Sequence, residues 1–302
     1  MLERFGMHSI RLAAACLLAL SLPAWGAGMV EARVVVAPGV VLRMIEAGPK
    51  DTSAPIVFIP GWSTGADIWR GQMKRLATRR RVISFDPRSQ GASTVTTRGN
   101  TPEQRAADLH TLLMKGHVDR PVLVAWSQAV QDVAAYALRY GTKDISGIVL
   151  VDAPVASGAN AIAEQPKRSA DQFRLFGIYQ SDQEVYLRGM FGAIISKPQP
   201  PGVVDRAVAT GMKTPPSIGV AMLVSDMFGP DRRGALAKLA CPVLFIAAAR
   251  SQELDLQKAQ AEEVDNAQFV RIDDAAHAVF VDQPDRFALV LRAFLKGLGG
   301  PA

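Results

Sequence analysis

Apolar and polar positions along the chain switch repeatedly between two periods. Short apolar runs at residues 55–60, 81–85, 121–126, 145–151, 242–248 and 267–272 predict strands, and the unbroken run at 145–151 predicts one covered on both faces. Segments 33–36 and 40–46 predict an opening hairpin turned at Pro38-Gly39. Between the strands lie stretches with helical spacing. Residues 67–78 carry Ile68, Trp69, Met73 and Leu76, and residues 284–298 carry Phe287, Val290, Leu291 and Phe294 on one face. Residues 102–115 follow Thr101 as a cap, with Pro102 in the first turn, and residues 127–140 end at Gly141. This alternation predicts an α/β fold: a mostly parallel eight-stranded sheet with helices on both faces.

From residue 154 to residue 239 the alternation stops. The stretch is helix-like and broken by Pro198, Pro200, Pro201, Pro215 and Pro216. It reads as a helical cap (154–239) inserted into a core made of residues 27–153 and 240–302.

The first 26 residues read as an export signal. Arg4 and Arg11 precede or open an apolar run from Leu12 to Leu22, and Ala24-Trp25-Gly26 offers small residues for cleavage. The run is short for a permanent membrane span, so a periplasmic or secreted protein without a stable span after cleavage is expected, a retained anchor being the alternative. Cleavage after Gly26 removes Arg4, Arg11 and Glu3 and lowers the formal charge from +6 to +5. That mild basicity is spread along the chain with no interleaved basic and aromatic patch, which argues against a nucleic-acid partner. Arg79-Arg80-Arg81 reads as a solvated helix end. The mature chain keeps one cysteine, Cys241, at the start of an apolar strand, so it forms no internal disulfide and the thiol is expected to be buried.

Chemistry concentrates in Val122-Leu123-Val124-Ala125-Trp126-Ser127-Gln128-Ala129. A strand runs into a helix through a serine with small residues two positions to either side. A turn that sharp leaves no room for large side chains at Ala125 or Ala129, and it raises the hydroxyl above the sheet at a helix N-terminus. A serine at a strand-to-helix turn is by itself an ordinary helix cap. Three further segments, in fixed chain order, single this one out. Phe58-Ile59-Pro60-Gly61-Trp62 follows an early strand. Asp86-Pro87-Arg88-Ser89-Gln90-Gly91-Ala92-Ser93 follows the next, with Asp86 and Arg88 expected to brace loops. Asp273-Asp274-Ala275-Ala276-His277-Ala278 follows the last. Of the four histidines, His8 lies in the signal and His110 and His117 lie on or beside an early helix, so His277 is the candidate base.

From about Val34 to Leu298 the chain resembles the α/β-hydrolase superfamily, and its Gly-Trp and Asp-Pro-Arg-Ser-Gln-Gly loops resemble the lipase, esterase and haloperoxidase-like branches. Both small positions of the serine turn are alanine where the usual pattern has glycine. The resemblance implies a Ser-His-acid triad and no cofactor, with Ser127 as nucleophile, His277 as base, and the backbone amides of Trp62 and Gln128 as the oxyanion hole. Most members carry the acid after the strand at 242–248, where this chain has Ser251. Asp152, at the end of the strand at 145–151, is the first candidate, and Glu253 or Asp255 on the later loop is the alternative.

The expected reaction is two-step acyl transfer on a carboxylic ester. The cap contains Phe173, Phe176, Tyr179, Tyr186, Met190, Phe191, Ile194, Ile195, Met222, Met227 and Phe228, of which a minority should face substrate. A small to medium apolar ester is therefore expected. C–C bond hydrolysis and perhydrolase or haloperoxidase chemistry on the same fold are the rival activities, and a ligand-binding protein without catalysis is the rival of another kind.

Overall fold

The computed structural model describes residues 28–50 and 53–299, and the expected signal segment 1–26 lies outside them. Eight strands form one sheet: β1 (Val30–Ala37), β2 (Val40–Ala47), β3 (Ile56–Ile59), β4 (Val82–Phe85), β5 (Val122–Trp126), β6 (Gly147–Val151), β7 (Val243–Ala248) and β8 (Ala267–Ile272). Their order is β1-β2-β4-β3-β5-β6-β7-β8. The pairs β1–β2 and β2–β4 are antiparallel and all others parallel. The sequence expectation of a mostly parallel eight-stranded α/β sheet holds.

The central strands read as continuous apolar runs because each face has its own core. Ile56, Phe58, Val122, Val124, Val149, Val151, Leu244 and Ile246 point to one side. Val57, Ile59, Leu123, Ala125, Ile148, Leu150, Val243 and Phe245 point to the other. This is the period of two expected of a strand, with both faces dry.

The helices are α1 (Arg70–Leu76), α2 (Pro102–Lys115), α3 (Ala129–Tyr140), α4 (Ala161–Glu164), α5 (Pro166–Ser181), α6 (Gln183–Ile194), α7 (Val203–Gly211), α8 (Pro216–Phe228), α9 (Leu254–Glu262), α10 (Val279–Asp282) and α11 (Pro284–Gly297). Helices α2 and α3 pack on one face of the sheet and α1 and α11 on the other. Thr101 caps α2 by accepting from Gln104 N at 3.3 Å. Helices α4 to α8 occupy the stretch where the strand alternation stops. Among the described residues no helix is long and apolar enough to cross a membrane.

Two local expectations change. Helix α9 occupies what reads as an acidic loop, because Gln257, Gln260 and Ala261 bury one face of it against the core. Arg80 and Arg81 are buried rather than solvated. Arg81 pairs with Glu46 at 2.7 Å and donates to Gly116 O and His117 O, tying the entry of β4 to the end of α2. Cys241 is buried and free.

A second polar joint lies between core and cap. The buried Arg105 of α2 pairs with Asp132 of α3 and Asp226 of α8. Beside them Arg232 pairs with Glu103 at 2.7 Å. Two carboxylates share one fully enclosed guanidinium, so desolvation and mutual repulsion outweigh its attraction. Burial pushes the Asp132 carboxyl up to about 7 and the Asp226 carboxyl up to about 6. A carboxyl raised above its unfolded value lets the folded state bind more protons than the unfolded chain. The joint is therefore most favourable at acid pH and weakens as pH rises through about 6 to 7. The unfolding free energy should fall from about pH 4 to pH 7 and level off above, by up to about 1.4 kcal/mol per pH unit per proton, which thermal melts across that range would read. D226N should flatten it; an identical slope in wild type and D226N would show that the pair does not titrate in this window.

Candidate active site

Strand register builds the site. Trp126 and Val151 are paired neighbours at the ends of β5 and β6. The next residues, Ser127 and Asp152, therefore leave the sheet side by side. Both turn sharply in the left-handed region, with φ of 58° and 51°. For non-glycine residues this conformation costs about 1–3 kcal/mol and persists only where surroundings enforce it. Here Ser127 N donates to Val151 O at 3.0 Å, and Asp152 N donates to Ile246 O at 2.8 Å. Gly61 packs against the serine turn: a Cβ there would lie 3.0 Å from Ser127 Cβ and 3.0 Å from the Trp126 ring.

His277 comes from the loop between β8 and α10. Its Nε2 lies 2.8 Å from Ser127 Oγ, and its Nδ1 lies 2.8 Å from Asp152 Oδ2. The other carboxylate oxygen, Asp152 Oδ1, accepts from Ala248 N at 2.8 Å, so the end of β7 holds the acid in place. Asp152 is buried and His277 is about one-third exposed. The structure thus joins the serine, the histidine and the β6-end aspartate. Glu253 pairs instead with Arg168 at 2.7 Å, and Asp255 sits in the first turn of α9. Neither hydrogen-bonds to His277, so the alternative acids do not meet the imidazole. Ser251 accepts from Gln257 Nε2 at 2.9 Å.

Trp62 and Gln128 flank Ser127 in the same cavity wall. Among the described residues their backbone N–H groups have no protein acceptor. The Trp62 indole donates to Gly219 O at 3.0 Å, which anchors this loop to α8. Its neighbour Ser63, at φ 55°, donates its amide to Gln90 Oε1. Asp86 braces the same region by accepting from Ala66 N and Ala92 N, each at 2.6 Å, and Arg88 pairs with Asp108 of α2.

The histidine loop has supports that local sequence did not reveal. Trp126 Nε1 donates to His277 O at 2.9 Å. Phe280 stacks on Trp69 with centroids 3.7 Å apart and meets Trp126 edge-on at 5.1 Å. The buried Asp282 carboxylate accepts from Ala276 N, Ser196 N, Ser196 Oγ and Lys197 N at 2.8–3.1 Å. It thereby fastens the His277 loop to the segment leaving α6. The only signal was an aspartate inside an apolar Val-Phe-Val-Asp run.

The three polar side chains open into a cavity of about 860 Å³. One wall is apolar. Tyr186, Met190 and Ile194 recur every four residues on α6, and Ile195, Met227 and Phe228 extend the surface. Phe176, Tyr179, Phe191 and Met222 turn inward as cap core. Six of the eleven apolar cap residues singled out from the sequence thus line the cavity, more than the expected minority. Polar side chains of the lining include Gln131, Gln165, Arg168, Ser251, Glu253 and Gln260.

The sequence pattern of the alpha/beta hydrolase family matches residues 56–289, spanning the serine, aspartate and histidine. The chain belongs to this family. A non-heme chloroperoxidase of Kitasatospora aureofaciens is 35% identical over 100 residues, 33% of this chain and 36% of that protein. A non-heme haloperoxidase of Rhodococcus erythropolis is 32% identical over 100 residues, with the same coverage of 33% and 36%. A Synechocystis sp. protein provisionally named as a non-heme chloroperoxidase is 33% identical over 141 residues, 45% of this chain and 50% of that protein. The chain thus matches half or less of the length of these curated relatives. Among solved structures, a bromoperoxidase from Bacillus anthracis superposes with a TM-score of 0.79 at 22% identity, over 88% of this chain and 100% of the other. An esterase from Exiguobacterium antarcticum also gives 0.79, at 18% identity with the same coverage of 88% and 100%. At such identities these two superpositions speak to fold alone.

Substitutions at three positions test this arrangement. D152N should lower kcat/KM for an activated ester by about 10³–10⁴-fold, because an amide cannot hold the imidazole tautomer and offset its charge. E253Q should stay within about fivefold of wild type, as Glu253 pairs with Arg168 and bonds to neither Ser127 nor His277. Equal losses in both would displace Asp152 from its assigned place. D282A should cost at least about 2 kcal/mol of stability, since several backbone N–H groups lose their acceptor. It should also lower kcat more than D282N does; thermal melts with matched kinetics read both.

Proposed function

We propose that the protein is a serine hydrolase acting on carboxylic esters through an acyl-enzyme. The observation that carries the reading is the continuous 2.8 Å relay from Ser127 Oγ through His277 to Asp152. In the proposed cycle His277 Nε2 takes the hydroxyl proton as Ser127 Oγ attacks the carbonyl carbon. The carbonyl oxygen becomes an oxyanion, and the Trp62 and Gln128 amides receive it in the wall beside Ser127. Asp152 keeps Nδ1 protonated and offsets the imidazolium charge. The imidazolium then protonates the departing alkoxide. Water, deprotonated by the same nitrogen, attacks the acyl-serine, releasing the carboxylic acid and restoring the hydroxyl.

The stripe of Tyr186, Met190 and Ile194 supports a small to medium apolar acyl or aryl group as the part of the substrate held against α6. Release of the protein to the periplasm or exterior, after loss of residues 1–26, belongs to the same proposal.

The haloperoxidase names of the sequence relatives favour a second reading. Hydrogen peroxide would replace water in the deacylation step, giving a peracid and free Ser127. The peracid would then oxidise a halide to hypohalous acid while being reduced to the carboxylic acid.

A fluorophosphonate should label Ser127 in wild type and not in S127A, H277A should slow labelling strongly, and p-nitrophenyl octanoate should have a lower KM than the acetate. Absence of labelling in wild type would overturn the enzymatic reading in favour of a ligand-binding protein. Bromination of a dye in acetate with peroxide, at a rate exceeding ester turnover, would favour the second reading.

A further inference from the structure

Gln128 occupies two environments at once. Its backbone N–H stands beside Ser127 at the head of α3, and its side chain turns back toward the buried joint between α2, α3 and α8. With the amide oxygen directed at Arg105, that oxygen lies 3.0 Å from Nη2, 3.1 Å from Nε and 3.3 Å from Nη1. Near-equal distances to all three nitrogens put it over the face of the cation. The edges of the guanidinium are already used. Nε donates to Asp132 at 2.9 Å, Nη1 to Asn100 O at 3.2 Å, and Nη2 to Asp226. Arg105, Asp132, Asp226 and Gln128 are all buried.

Beyond Asp132 and Asn100, the cluster reaches forward to Gln128, the residue next to Ser127, and outward to Asp226 on α8. Asp226 and Gln128 line the same cavity as Ser127. An oxyanion donor is useful only if aimed at the developing charge before the reaction, and small misplacements are expensive in rate. Gln128 precedes the first full turn of α3, with no side-chain cap bond to fix it. Val130 N donates to Ser127 O at 3.0 Å and holds the carbonyl end of that peptide; the side-chain contact with Arg105 holds Gln128 from behind.

We propose that Arg105 is a positioning residue for the oxyanion hole, holding the Gln128 amide through its side chain and linking that orientation, through Asp226, to the seating of α8. The proposal rests on the serine-hydrolase reading. Arg105 touches no reacting atom, and its effect should appear in transition-state stabilisation rather than in substrate binding.

The test uses Q128M, which keeps the backbone N–H and nearly the same volume while removing the amide oxygen. Q128M should lower kcat on p-nitrophenyl acetate and the phosphonylation rate of Ser127 by about tenfold each, with KM within about twofold. D226N should lower both rates about threefold, and Q128M should cost less in the D226N background than in wild type, because both changes release the same amide. Wild-type rates in Q128M, or logarithmic losses that simply add in the double variant, would overturn the proposal. If Q128M fails to fold, D226N decides alone: unchanged kcat and labelling rate would overturn it. Labelling of wild type and variants at one common rate would sink only this inference, whereas no labelling of wild type would sink the hydrolase reading beneath it.

Discussion

The site depends on one carboxylate being held by two strands at once. Asp152 ends β6 beside the serine turn of β5, and one of its oxygens is fixed by Ala248 N at the end of β7. Only the other oxygen is then left to face His277 Nδ1. The imidazole is aimed by a rigid sheet edge and not by a flexible loop. Most of the neighbouring geometry follows from that. The left-handed turns at Ser127 and Asp152 are tolerated because parallel ladder bonds continue one residue past each strand. Gly61 is small because the Ser127 turn and the Trp126 ring leave no space for a Cβ beside them.

Cap and core meet through buried polar joints as well as apolar contact. Asp282 fastens the segment leaving α6 to the histidine loop, and Asp226 fastens α8 to Arg105. Trp62 adds a third tie through its indole to Gly219 O. Apolar packing is tolerant of small slips, whereas a carboxylate with several donors accepts one geometry. The Asp282 joint ends one residue from His277, the indole tie starts at Trp62, and Arg105 touches the Gln128 side chain. A cap held this way transmits its own position to the site.

Strands β3 to β7 were legible because strands covered on both faces must be apolar throughout, while β1 and β2 were legible from their Pro38-Gly39 turn and β8 from a short apolar run. Ser127 and His277 were legible from chain order, since each follows a strand in a sequence context that few other residues share. Asp152 required a choice between two strand ends, and local sequence offered no way to see that Glu253 would be claimed by Arg168. Arg80 and Arg81 misled for a related reason. A run of three cations reads as solvated until its partners, Glu46 and the carbonyls of a distant helix end, are brought to it by tertiary structure. Helix α9 was hidden by its charges, because its buried face is built from glutamines and alanine rather than large apolar residues. The support of Gln128 by Arg105 had no local signal at all, as the two positions lie on different helices.

The cavity adds an argument about what this scaffold selects. Its apolar wall comes from α6 and α8, while its polar wall comes largely from α5, the β7–α9 loop and α9. A purely apolar ester uses only the first wall and leaves the second hydrated. Keeping ordered polar side chains near water at that wall costs little, because Arg168 and Glu253 satisfy one another there. Selectivity for apolar groups then arises on one side only, through displacement of water from the α6 stripe. Rejection of polar groups would need buried unpaired donors on the other side, whereas Arg168 and Glu253 pair with one another there and the buried Gln131 and Gln260 bond to the backbone of residues 154–156. For an ester substrate as proposed, this lining supports a preference graded by apolar size over strict recognition of one substrate.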